Sequence, residues 1–196
     1  MKKSIKISAI ISAFVLLGAA GAKAQTATPA TTTASTPGGI IYSVGIESSL
    51  SVGSFNKDHK GSLGASIQAD IPIAKQWYVN VNTGYDNFYG RNQFGEVSAA
   101  GIRMIPAMAG IKYFPVSNFY VQADAGAAFL VNKSDVGYDK SAAFLYAPEV
   151  GVRLPVSNKS FIDAGVRYEE ATRFDSSVVG SKINVIGLRL SYAFGL

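Results

Sequence analysis

The chain predicts an all-β fold, an eight-stranded antiparallel transmembrane β-barrel with up-and-down meander connectivity, and three observations carry that expectation. Apolar residues alternate with small or charged ones in about eight stretches between Gly39 and Leu196, an export-type leader precedes them, and the chain holds no cysteine. The segment from Lys182 to Leu196 shows the alternation most clearly. Ile186, Leu188, Leu190, Tyr192, Phe194 and Leu196 share one parity, interrupted by Gly187, Arg189, Ser191 and Gly195. A β-strand sends successive side chains to opposite faces, so this stretch has one greasy, aromatic-ended face and one small or charged face.

The leader spans residues 1–24. Lys2, Lys3 and Lys6 precede an apolar run from Ile7 to Ala20, and Ala22-Lys23-Ala24 forms a small-x-small cleavage site ahead of Gln25. A helix needs about 20 residues to cross a bilayer, so the run reads as a cleaved signal peptide and not as an anchor. With no cysteine, lipid attachment through an N-terminal cysteine, a disulfide framework and thiolate chemistry are all excluded. The formal charge of +5 dissolves once the leader is set aside. Removing its four lysines from the 18 basic residues leaves 14 against 13 acidic ones, a net of +1. A basic patch for nucleic acid has no support.

Residues 25–38 are rich in Thr, Ala and Pro without an aliphatic pattern, and they read as a flexible periplasmic tail. The barrel then occupies residues 39–196. Strands are expected at about 40–52, 62–72, 77–86, 99–114, 119–131, 143–154, 161–170 and 182–196, with ten as the alternative strand count. Three short connections resemble one another, at Ile71 to Tyr78, Phe114 to Tyr120 and Leu154 to Phe161. Each reaches a proline at the strand end, turns through small or polar residues and restarts near an aromatic. The other connections, 53–61, 86–98, 132–142 and 171–181, are long and polar. Long loops on one side and short turns on the other is the asymmetry of an outer-membrane barrel.

Parity sorts the faces. Val44, Ile46, Ile67, Val81, Ile111, Val121, Val150 and Val166 point outward. Ser43, Glu47, Ser49, Ser66, Gln68, Asp70, Asn80, Asn82, Lys112, Gln122, Asp124, Glu149, Arg153, Asp163, Arg167, Glu169 and Arg189 point inward. A soluble barrel would keep its apolar side inside. An aliphatic exterior around a charged interior belongs in lipid. A glycine stands two residues before each inward cation, at Gly110/Lys112, Gly151/Arg153, Gly165/Arg167 and Gly187/Arg189, which suggests that each long cation needs a neighbour without a side chain. Glu47, Asp70, Asp124, Glu149, Asp163 and Glu169 are the carboxylates available to Lys112, Arg153, Arg167 and Arg189. For Glu149, an arginine on an adjoining strand is as reasonable a partner as Arg153. The preferred reading is a structural plug of ion pairs and hydrogen bonds. The alternative is a charged constriction that selects solutes.

The leader, the proline-aromatic turns and the terminal Gly-Leu-Arg-Leu-Ser-Tyr-Ala-Phe strand resemble the small porin-like outer-membrane β-barrel family of Gram-negative bacteria, of the OmpA-transmembrane and OmpX kind. The resemblance covers residues 39–196. It implies a bacterial outer-membrane location and a terminal strand, here Leu190, Tyr192, Phe194 and Leu196, that the barrel-assembly machinery reads. Where the family pattern ends on the aromatic, Gly195 and Leu196 follow here. No peptidoglycan-binding domain is expected. Lipid-modifying enzymes and proteases also occur among small barrels, and resemblance to those calls for a histidine with serine or acidic partners. The sole histidine, His59, sits in the polar run Asn56 to Lys60 and is expected to be solvated, with Asp58 beside it in sequence and Asp175-Ser176 within reach only across the rim. Residues 135–139 lack calcium-loop spacing, and phosphate-loop and dinucleotide motifs are absent.

The expectation is therefore a monomeric, non-catalytic structural or surface-interaction protein with no cofactor or metal. Its partners would be outer-membrane lipid, the assembly machinery and an extracellular ligand. Arg91, Phe94, Lys133, Tyr138, Arg173 and Phe174 are the loop residues best suited to that ligand. A narrow passage for small solutes stands second, and a lipid-modifying enzyme third.

Overall fold

A computed structural model describes residues 39–90, 100–175 and 181–195. The leader, the tail, Arg91, Phe94, Ser176 and Leu196 lie outside the described residues. The strands are β1 (Ile41–Ser51), β2 (His59–Ala74), β3 (Trp77–Gly90), β4 (Ile102–Val116), β5 (Phe119–Leu130), β6 (Ala142–Ser157), β7 (Ser160–Ala171) and β8 (Ile183–Gly195). Each pairs antiparallel with the next, and β8 returns to β1 from Ile41↔Gly195 to Ser51↔Val185, closing the barrel without an edge.

Several strand limits differ from expectation by three or four residues, among them the start of β4, at Ile102, and the end of β6, at Ser157. β2 begins at His59 and β3 runs on to Gly90, because His59 pairs with Gly90 and Gly61 with Tyr89 above the apolar belt. The prolines also sit inside the strands instead of ending them. Register shifts occur between Pro72 and Ala74, between Tyr113 and Val116, and between Pro155 and Ser157. An irregular pairing lets a residue without an N–H stay in the strand, because no ladder bond is asked of it. The turns themselves are two residues long, Lys75-Gln76, Ser117-Asn118 and Asn158-Lys159. Gln76 takes the left-handed conformation, φ +68°.

Outward residues form an apolar belt, with Val44, Ile46, Ile67 and Leu190 all more than half exposed. Water would make that surface costly, whereas acyl chains remove the cost. The interior is layered. Ile41, Tyr78, Phe114, Tyr120 and Ala193 pack at the end bearing the short turns. Charged side chains fill the middle. Above them Phe55, Phe88, Ile102, Met104, Leu130 and Phe174 belong to an apolar cluster under the long loops. The polar interior expected from parity is thus confined to part of the lumen, since β4 and the upper ends of β3, β5, β6 and β8 carry apolar residues on their inward parity.

Candidate functional site: the charged lumen

The cross-strand register decides which charges meet. Arg153 of β6 lies opposite Asp163 of β7, and its Nη2 and Nε donate to the two Asp163 carboxylate oxygens at 2.6 and 2.7 Å. Arg153 Nη2 also reaches Asp70 of β2 at 2.7 Å, and Lys112 Nζ of β4 bridges Asp70 at 3.0 Å and Asp163 at 3.4 Å. This lower cluster is two cations on two carboxylates, all at least nine-tenths buried. Lys112 lies 4.5 Å above the Tyr120 ring, and Arg153 lies 5.2 Å above Phe114. Those ring faces give the cations a second attractive surface.

The next layer is built on Glu149. It faces Arg167 of β7 across the ladder and accepts from Arg167 Nε at 2.7 Å, with Arg189 of β8 at 4.0 Å. Tyr120 donates its hydroxyl to the other Glu149 oxygen at 2.6 Å. Arg167 also stands 3.5 Å from Asp124 and from Glu47, and Arg189 stands 3.4 Å from Glu47. Arg189 donates to Ser66 and Ser43 as well. Amides tie the two layers together. Gln68 donates to Asp70 at 2.6 Å, Gln122 to Asp124 at 2.7 Å, and the two amides bond to each other across the lumen. Asn82 donates to Asp124 at 3.1 Å.

Of the ten residues the sequence places in this network, nine join ion pairs: Glu47, Asp70, Lys112, Asp124, Glu149, Arg153, Asp163, Arg167 and Arg189. Glu169 is buried but has no hydrogen bond or ion pair among the described residues. Asp86, assigned to the start of a loop, is an inward strand residue in the same position. Its parity with Asn80 and Asn82 was the available signal. Tyr120, also missed, shares parity with Gln122 and Asp124. The glycine rule changes meaning too. A Cβ on Gly151 would stand 2.5 Å from the Tyr120 ring, and one on Gly165 would stand 2.6 Å from Glu149 Oε1. Those glycines make room for the tyrosine and the carboxylate more than for the cations two residues away.

At the mouth, two expectations are corrected. His59 is buried, stacked on Phe55 at 4.4 Å, with Nε2 3.2 Å from the Ala100 carbonyl oxygen. It is buried because the extended β2–β3 hairpin lifts it under the short 3-10 turn at Phe55–Lys57. Phe174 is likewise fully buried, drawn over the rim where its backbone bonds to Lys140 and Ser181, and its ring stacks on Tyr138 at 6.3 Å. Burial, together with the Asp58 and Asp175 carboxylates, raises the Tyr138 hydroxyl above its ordinary pKa. Lys133 and Arg173 are exposed and Tyr138 is half-buried. Of the terminal strand, Leu190 and Tyr192 are exposed and Phe194 half-exposed on the outer face.

No family model and no curated protein matches the sequence. Solved structures match its fold. Neisserial surface protein A is 16% identical with a TM-score of 0.54, over 79% of this chain and 94% of its own. The fold is that of the small outer-membrane barrels. The attachment invasion locus protein Ail of Yersinia pestis is 17% identical with a TM-score of 0.50, over 80% of this chain and 99% of its own. At such identity the likeness concerns the outer-membrane barrel scaffold and leaves the lumen chemistry to this chain's own residues.

Proposed function

We propose that this chain is a non-catalytic outer-membrane barrel, structural or surface-interacting in role, whose lumen is closed by its own charged side chains. One observation carries the reading. The ion-paired layers bridge the lumen from β2 to β8, with aromatic packing below and apolar packing above. Eight strands leave an interior only wide enough for side chains, so such a lattice removes a continuous water column. The mouth also favours a non-catalytic role. The single histidine is packed against Phe55, and the described residues bring it no serine or carboxylate hydrogen-bond partner. Partner contact then falls to the loops, where Lys133 and Arg173 are exposed cations and Tyr138 a half-buried aromatic. Outer-membrane lipid around the belt, the assembly machinery reading the terminal strand, and a monomeric state complete the proposal. Purified protein in planar lipid bilayers should pass little or no current, and Glu149→Ala should open a leak by removing the shortest ion pair of Arg167. Stable, ion-selective channels from the unmodified protein would replace this reading with that of a narrow solute passage.

A further inference from the structure

The described lumen holds four cations, Lys112, Arg153, Arg167 and Arg189. Seven carboxylates face them, a surplus of three: Asp70, Asp124, Glu149, Asp163 and Glu47 share the ion pairs, and Asp86 and Glu169 join none among the described residues. Glu47, Asp86 and Glu169 line one cavity of about 20 Å³, with Arg167 as the cation in its wall. That is room for about one water-sized guest. Asp86 is 7% exposed and Glu169 5% exposed, and neither has a hydrogen bond or ion pair among the described residues.

The backbone brings these groups together. Glu47 of β1 pairs with Gly64 of β2, and Gly64 pairs with Asp86 of β3, so the two carboxylates share a row with no side chain between them. A Cβ at Gly64 would collide with the Asp86 carboxylate, which shows that Asp86 lies across the gap. Glu169 enters from β7, two residues beyond Arg167 on the same face. The cavity wall takes Glu47 from β1, Ser62 from β2 and Arg167 from β7; Arg189 of β8, Glu149 of β6 and Asp124 of β5 are the ion-pair partners of Glu47 or Arg167, and Gly64 and Met104 pair with Asp86 without charge. Arg167 and Arg189 are already engaged by Glu149 and Glu47, and Arg167 by Asp124.

We infer that the Glu47–Asp86–Glu169 chamber is a proton-binding site, holding at neutral pH at least one proton shared between Asp86 and Glu169. Two bare carboxylates facing a confined, poorly hydrated space repel each other and lack solvation, whereas one proton converts them to a donor and an acceptor. Their titration then belongs to the pair. A metal ion fits less well, because no group of three His, Asp or Glu side chains among the described residues is arranged to hold one. The cavity wall already includes the Arg167 guanidinium, which disfavours a second positive charge beside it. The folded barrel thus binds more protons than the unfolded chain near neutral pH, and its stability falls as pH rises through the titration of the pair. This inference is independent of whether the barrel conducts.

Infrared spectroscopy of the lipid-reconstituted full barrel in heavy water reads the proton directly. At neutral pH the wild type should show the carbonyl band of a protonated carboxylic acid, fading as the medium is made alkaline, and Asp86→Asn/Glu169→Gln should remove it. Absence of the band in the wild type, or its persistence in the folded double variant, overturns the proposal. Urea unfolding provides a second readout. The wild-type midpoint should drop from neutral to alkaline pH more steeply than that of the double variant, and equal drops also overturn the site. If the double variant does not fold, the wild-type band decides alone, by fading with pH or by being absent. A midpoint that rises with added sodium or calcium at neutral pH, without a carboxylic acid band, would assign the chamber to a metal cation instead.

Discussion

The lower and upper halves of the lumen contain the same residue types arranged to opposite effect. Around Asp70 and Asp163, each carboxylate is satisfied by Arg153 and Lys112 at 2.6 to 3.4 Å, and aromatic rings seat the cations. Around Asp86 and Glu169, carboxylates face a cavity whose lining cation, Arg167, is bonded to Glu149 instead. All four carboxylates are buried. Charge in a barrel is therefore not one structural material. Paired, it locks strands β2, β4, β6 and β7 to one another, and unpaired, it leaves a site whose occupancy depends on the medium.

The sharpest way to break this contrast is to remove one charge from each half. Arg153→Met leaves Asp70 and Asp163 sharing Lys112 alone and is expected to cost about 3 to 5 kcal/mol, the range for stripping one partner from a buried pair. Asp86→Asn, equally buried, is expected to leave stability at neutral pH unchanged or raised. Urea titrations in lipid vesicles compare them, and equal losses would mean the halves do not differ.

A smaller effect distinguishes where an added cation is welcome. Leu190→Arg puts charge on the lipid face and is expected to cost about 2 to 4 kcal/mol if near mid-bilayer. Met104→Lys puts charge directly opposite Asp86 in the ladder, where the carboxylate surplus should make it the milder change. Folding yields and unfolding midpoints in the same vesicles decide the order, and a costlier Met104→Lys would refute the surplus.

The smallest expected effect concerns the joint beneath Glu149. Tyr120→Phe removes the hydroxyl donated at 2.6 Å and is expected to cost about 1 to 3 kcal/mol, the range for leaving a buried acceptor short of a donor. A loss near zero would show that Arg167 satisfies Glu149 unaided.

Much of this was legible in the chain. Alternation along β8 assigned Leu188 and Leu190 to lipid and Arg189 to the lumen, because strand parity is a local property of two-residue period. Where parity was cut short, residues were lost. Asp86 was assigned to a loop because the polar stretch after it masked the continuation of β3, and His59 was taken as solvated because nothing local announces the hairpin that buries it. Phe174 was misassigned for a similar reason, since its burial depends on loops that meet only over the closed barrel.

The sequence by itself determined the period, the two faces, the short turns and the residues available to the interior. Only the tertiary structure decided that Arg153 meets Asp163 and Asp70, that Glu149 meets Arg167 and Tyr120, and that Asp86 and Glu169 join no ion pair among the described residues. The physical reason is one of range. Which face a side chain takes follows from its immediate neighbours in the strand, but which charge it meets depends on register between strands and on barrel closure, which brings together residues as distant in sequence as Glu47 and Arg189.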